Sequence, residues 1–257
     1  MEININSDLG ESSKFHSTEN DPLLLNIVNS ANIACGYHAG DEITMGKTIE
    51  ISKNNNVSIG AHPSFNDKEN FGRKRIDLSS NEIEKLIIDQ ISIISKIAID
   101  KKIQVTHVKP HGALNNMACE NYQLAKTISE AIIKINKNLI FLVPTGSQME
   151  KAGKKLGMKV ATEIFADRNY EDNGNLFSRL KKNAVITDPE VAKRHVIKMV
   201  KNQAINCFSG KQIPCEIDSI CVHGDGESAV ETAKKIQKEL IKAGVTLKPL
   251  DKMKKFI

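Results

Sequence analysis

The chain opens on a strand-like run, Ile3-Asn4-Ile5-Asn6, and short β-rich runs recur at Ala31 to Cys35, Val57 to Ala61, Ile103 to Val108, Leu139 to Val143, Lys159 to Phe165 and Ser219 to Val222. Helical patterns lie between them. Ser79 with Glu82 three residues on is a capping box, and Ile83, Leu86, Ile87, Ile91, Ile94, Ile97 and Ala98 follow on one stripe. Asp188 as N-cap and Pro189 in the first turn start a second helix with Ala192, Val196, Met199 and Val200 on one face. A third carries Ala229, Val230, Ala233, Ile236 and Leu240. Seven strands separated mainly by helices imply parallel pairing, because a parallel connection must cross the sheet. An open doubly wound sheet and a closed barrel both satisfy this, and length and strand number favour the barrel. No linker-like tract or composition shift divides the chain, so residues 1–257 are expected to form one (β/α) barrel catalytic domain.

Composition narrows the function. Hydrophobic residues at 40% and charged residues at 26% exclude a disordered or fibrous chain. The net charge of +5 comes from lysine, with five arginines, eight Phe, three Tyr and no Trp, a poor basis for binding nucleic acid. The most apolar stretch, Ile83 to Ile99, is broken by Lys85, Asp89 and Lys96, so no membrane span is expected. No secretory signal is visible at the start. Five cysteines without a Cys-x-x-Cys point to free thiols and a cytoplasmic location.

Ionisable residues gather where strands end: Asp8 and Glu11, His38 and Asp41, His62 with Asp67 and Arg73, His107 with Lys109 and His111, Glu163 with Asp167 and Arg168, and His223 with Asp225. In (β/α) barrels the loops at these strand ends converge on one face, where the chemistry is found. His16 and His195 have no comparable setting, and Cys35 and Cys221 are expected to be packed small hydrophobes. His107 and His111 are spaced as two metal ligands, but Pro110 rules out the helical version of that pair, leaving an extended turn or an acid/base cluster around Lys109. Gly146 to Lys155 lacks the spacing of a phosphate-binding P-loop. Gly224-Asp225-Gly226-Glu227-Ser228-Ala229 matches a dinucleotide fingerprint, but too little chain follows to complete that fold.

Several blocks together resemble the LamB/YcsF family, the A subunits of 5-oxoprolinase. They are Asn6 to Glu11, Ser30 to Asp41, Gly60 to Pro63, Phe71 to Arg73, His107 to Leu114, Glu163 to Tyr170 and Cys221 to Asp225, in family order across nearly the whole chain. Ser7, Ser64, Asn70 and Asn115 depart from the family pattern. The resemblance implies a seven-stranded barrel akin to the sugar deacetylases. It also implies ATP-dependent opening of the lactam 5-oxo-L-proline to L-glutamate, together with partner subunits B and C, with ATP as cosubstrate and Mg expected to accompany it. Activation by phosphorylation of the amide oxygen, followed by attack of water, suits a resonance-stabilised lactam. In that scheme Asp8, His62 or His107 orients and deprotonates water while Lys109 and His111 stabilise the developing charge. Arg73, Asp167, Arg168, His223 and Asp225 are the substrate-binding candidates, with an arginine forking the substrate carboxylate. No protein-bound metal is assigned. The alternatives are a metal-dependent amidase or deacetylase using Asp8 with His62, His107 or His111, and a non-catalytic lactam- or sugar-binding protein.

Overall fold

The computed structural model describes residues 1–224 and 228–257, so Asp225 lies outside the described residues. Strands β1 (Glu2–Leu9), β2 (Ser30–Ala34), β3 (Ser58–His62), β4 (Val105–Val108), β5 (Ile140–Pro144) and β6 (Val160–Phe165) follow one another in the sheet, each parallel to its neighbour. A small antiparallel hairpin, β7 (Ala204–Asn206) and β8 (Gln212–Pro214), stands apart. Strand β9 (Ser219–Cys221) pairs with both β6 and β1, and this closes a seven-stranded parallel barrel from the runs expected of it. A short strand, β10 (Thr246–Leu247), lies beside the start of β1.

The helices form where their caps direct them. In α1 (Ser80–Asp100) the Ser79 hydroxyl accepts from the Glu82 N–H and the Glu82 carboxylate accepts from the Ser79 N–H. In α2 (Pro189–Asn202) Asp188 accepts from the Glu190 and Val191 amides. Outward-facing Ile3, Ile5, Ile33, Ile59 and Ile220 pack with Ile49, Ile87, Ile91, Ile236 and Leu240, so the principal apolar core is the ring between sheet and helices.

The barrel interior is different. (β/α) barrel lumens are usually filled by branched aliphatic side chains, whereas here much of the lumen is polar and hydrogen-bonded. At its lower end Asn4 donates to Ser30 Oγ (2.8 Å) and accepts from the Ser219 hydroxyl (2.7 Å). One layer up, Asn6 donates to Ser219 Oγ (2.8 Å) and Glu163 (3.1 Å), and Asn32 donates to Asn6 (2.8 Å) and Asp8 (2.8 Å). Lys109 crosses the top and places its ammonium 3.0 Å from Asp8 Oδ1, 3.2 Å from Glu163 Oε2 and 3.3 Å from Asn6 Oδ1.

The opposite end of the barrel is sealed by the lysine-rich C-terminus, which sequence composition makes look like a solvated tail. Leu250, Met253 and Phe256 are instead buried against Ile140, Leu142 and Ala161. The Lys248 carbonyl accepts from the Asn4 side chain, which ties this segment to the polar lumen. Its lysines remain on the outer face because three apolar positions, spaced by three, carry the packing.

Two stability measurements follow. Removing one partner of a buried ion pair strands the other's charge at a cost of about 3–5 kcal/mol, so Lys109→Met is expected to lower the urea midpoint sharply and a second change, Glu163→Gln, to recover part of the loss. Unchanged midpoints in Lys109→Met would contradict the packing. A Cβ added at Gly60 would lie 2.3 Å from the His107 ring, a ring held by partners on both nitrogens, so Gly60→Ala should cost about 1–3 kcal/mol by overpacking. Neutrality there would show that the ring is free to move.

Candidate active site

Three of the expected catalytic residues meet at the carboxyl ends of the strands: Asp8 from β1, His62 from β3 and Lys109 just beyond β4. Lys109 is 2% exposed, and its ammonium is directed at Asp8, Glu163, Asn6 and Cys221 Sγ (3.2 Å) rather than at the open mouth. Burial opposes its charge, but the Asp8 carboxylate overrides this and holds its pKa well above that of an ordinary lysine. Asp8 responds in kind. Burial alone would raise its carboxyl, yet His62 and Lys109 hold it well below the usual range. Cys221 is kept a thiol, its pKa driven well up by burial, so it packs against the ammonium as a small polarizable group.

A second cluster adjoins this one. His62 Nδ1 donates to the Lys109 carbonyl (2.6 Å), which aims Nε2 at Asp8 Oδ2 (3.4 Å) and at His111 Nδ1 (3.2 Å). His111 Nε2 donates to the Phe71 carbonyl (3.0 Å), so its Nδ1 faces inward, 3.2 Å from Glu11 Oε1. His38 stacks on His111 with ring centres 3.9 Å apart and brings Nε2 to 3.0 Å from the same Glu11 oxygen. Phe71 stands edge-on to both rings. Burial pushes His38 down to about 3 and also lowers His111, whereas for His62 burial is outweighed by the Asp8 and Glu11 carboxylates and the pKa rises. Glu11 is held well below the usual range because the neighbouring His111 and His38 imidazoles outweigh its burial. The result is an acid/base histidine flanked by two carboxylates.

The remaining expected residues are distributed around this centre. His107 lies deeper, fully buried, with Nε2 donating to Asn32 Oδ1 (3.0 Å) and Nδ1 beside Thr106 Oγ1 (2.9 Å). It therefore reaches Asp8 only through the Asn32 amide, and burial presses its pKa to about 3, keeping it neutral. The i, i+4 pair His107 and His111 does not converge, because the strand end and turn send the rings to different partners. His223 Nδ1 meets both oxygens of Asp167 at 2.8 Å and stacks on Phe165. Arg168 donates to the carbonyls of Ala184 (3.2 Å) and Phe177 (2.5 Å), pinning the 169–188 loop. The Arg73 guanidinium lies over the Phe71 ring, 4.8 Å from its centre.

Glu11, His38, Asn6 and Asn32 hold central places in the site without having been singled out as its catalytic or binding residues. Glu11 and His38 sit at strand ends, where the converging-loop rule already points. Asn6 and Asn32 carry a weaker signal: an amide on the polar side of an otherwise apolar strand.

Among the described residues, two groups of side chains converge closely enough to hold a metal ion, Glu11 with His38 and His111, and Asp8 with Cys221 and His223. In the second, the Lys109 ammonium already occupies the electrostatic position of a cation, 3.0 Å from Asp8 and 3.2 Å from the Cys221 sulfur.

Comparison with known proteins places this geometry in a family. Residues 3–255 match the LamB/YcsF family model. The chain is 43% identical over 251 residues to the 5-oxoprolinase A subunit of Clostridium beijerinckii, covering 98% of each. It is 42% identical over 250 residues to the 5-oxoprolinase A subunit of Staphylococcus epidermidis, covering 97% of this chain and 99% of that one. Among solved structures, the lactam utilization protein of Thermus thermophilus superposes with a TM-score of 0.90 at 32% identity, covering 97% of this chain and all of that one. A T48 deacetylase, at 14% identity and a TM-score of 0.53 over 97% of this chain and 88% of that one, shares the barrel alone. A matched model over almost every residue and relatives above 40% identity along the full length leave one conclusion: the chain belongs to the LamB/YcsF family.

Proposed function

We propose that this chain is the A subunit of an ATP-dependent 5-oxoprolinase, with residues 1–257 acting as one catalytic domain in the cytoplasm alongside partner subunits B and C. The observation that carries the reading is the end-to-end match to relatives named as 5-oxoprolinase A subunits. The buried Asp8–His62 pair at the barrel mouth supplies the hydrolytic chemistry that such a protein needs.

Opening the lactam poses a specific problem. Phosphorylation of the amide oxygen, with ADP leaving, makes the ring carbon electrophilic. Water adds to that carbon, but expelling phosphate from the adduct would only regenerate the lactam. The ring C–N bond must break first, with a proton delivered to nitrogen, to leave an acyl phosphate that a second water hydrolyses to glutamate and phosphate. His62 is suited to both proton transfers: Nδ1 is committed to the Lys109 carbonyl, Nε2 accepts the proton of the attacking water, and the resulting imidazolium, stabilised by Asp8 at 3.4 Å, returns it to the ring nitrogen. Lys109 positions Asp8 instead of meeting substrate, and His107 does the same through Asn32. With two donors of Arg168 engaged by backbone carbonyls that pin its loop, Arg73 is the arginine assigned to the substrate carboxylate, and His223 with Asp167 flanks the mouth as a polar binding pair.

Nucleotide handling is assigned to the partner subunits. The Gly146 amide, which a phosphate loop would present to a ligand, donates to the Glu150 carboxylate at 2.6 Å, and that negative charge opposes a phosphate. The chain alone should therefore release no glutamate from 5-oxoproline and ATP, and release should appear on reconstitution with subunits B and C. Robust ATP-dependent turnover by the isolated chain would overturn the division of labour, and an inactive complex from active partners would overturn the function. In the active complex, Asp8→Asn and His62→Gln should each lower kcat by about 10²–10⁴-fold while keeping a cooperative thermal transition. Wild-type kcat in either variant would remove that residue from the mechanism.

A further inference from the structure

Apolar side chains gather uncovered on the flank of the barrel beside the mouth, around the loop that follows β6. Leu180 is 97% exposed and Phe208 55%, and Val185 and Val191 are exposed as well. One scaffold joins them. The Phe177 and Phe208 rings meet with centres 5.2 Å apart, the Phe208 amide donates to the Tyr170 carbonyl (2.9 Å), and Val185 pairs with Arg168. Val191 and Phe208 line one groove of about 310 Å³ with Asn169. A second groove, of about 500 Å³, continues it along α2, because Arg194 and Lys198 line both. Single exposed hydrophobes are ordinary, whereas a connected apolar patch with a charged rim marks an interaction surface.

Charge selects the occupant. Arg179, Lys181 and Lys182 stand in the loop, and Arg194, Lys198 and Lys201 follow one another at i, i+4 and i+7 on α2. Lys181 is answered by Glu171 and Lys193 by Glu190, while Glu239, the carboxylate lining the second groove, reaches toward Lys242 (3.8 Å). Among the described residues, Arg179, Lys182, Arg194, Lys198 and Lys201 make no ion pair. Like charges four apart on a helix repel, so the stripe is complemented only from outside the chain. A second copy docked by two-fold symmetry would set this basic face against itself. We propose that the face docks an acidic surface of a nucleotide-handling partner subunit, with Leu180 and Phe208 as the apolar anchors and the cations as the rim. This rests on the lactam-opening reading and deepens it by naming the surface through which the partner meets the chain. The place suits the chemistry, because a phosphorylated lactam is destroyed by bulk water and has to pass straight into the mouth. The loop is tied to that mouth: Arg168 holds the Ala184 and Phe177 carbonyls, and its neighbour Asp167 holds His223.

The test uses the full chain with subunits B and C and reads two quantities, the affinity of the chain for its partners and glutamate release at saturating chain. Leu180→Glu combined with Phe208→Ser, and separately Arg194→Glu combined with Lys198→Glu, should each weaken assembly at least about 10-fold. Wild-type assembly should weaken as salt is raised. At saturating chain kcat should stay at its wild-type value, since these four side chains lie outside the site. Ile99→Glu, at an exposed isoleucine of α1, should assemble as wild type does. Either double variant, folded by its thermal transition yet assembling with wild-type affinity, would overturn the docking face while glutamate release by the complex, and with it the function, still stood. Self-association of the chain that the same variants abolish would overturn it too. A wild-type chain that neither assembles with active partners nor restores glutamate release would remove the function itself, and the docking face with it.

Discussion

The architecture of the site depends on one buried charge. Lys109 enters the top of the barrel from the end of β4 and neutralises Asp8 from β1, with Glu163 of β6 on its other side. A lone carboxylate in such a place would take up a proton and cease to be useful, and a lone lysine would lose one. Held together, each keeps the other ionised, which lets Asp8 support an imidazolium at His62. The arrangement is paid for in desolvation, so it is better understood as a device for positioning charge than as a source of stability.

Around that charge the lumen reads as a sequence of supports. Asn6 and Asn32 share hydrogen bonds with each other and with Glu163 and Asp8, and His107, passing over Gly60, locks the Asn32 amide from beneath. Ordinary aliphatic packing would leave the mouth residues to be fixed by their own loops. Here the polar column carries the orientation of Asp8 down to Asn4 and the C-terminal segment that closes the far end. Site and fold are therefore coupled, and substitutions in the column are expected to affect both.

Much of this could be read from the chain. The seven strand runs and the capped helices at Ser79 and Asp188 are visible because hydrophobic period and capping chemistry are local. The convergence of Asp8, His62, Lys109 and His111 follows from strand-end placement in a barrel. What stays hidden is nonlocal. Where the Lys109 ammonium points depends on Glu163 and Cys221, dozens of residues away, and the bonds from Arg168 to the Ala184 and Phe177 carbonyls follow a loop path that no local pattern announces. His107 and His111 share a short motif yet face different partners, because one closes a strand and the other starts the next helix. The C-terminal segment misleads through composition: abundant lysine hides the three apolar residues that dock it.

The roles assigned to Asp8 and His62 require Lys109 to be a charged ammonium held between Asp8 and Glu163. Heteronuclear NMR of the lysine side chains across about pH 6–10 examines this directly. The predicted result is a slowly exchanging Lys109 ammonium signal with no titration through that range. A Lys109 amine that deprotonates near neutrality, or one that exchanges freely with solvent, would contradict it.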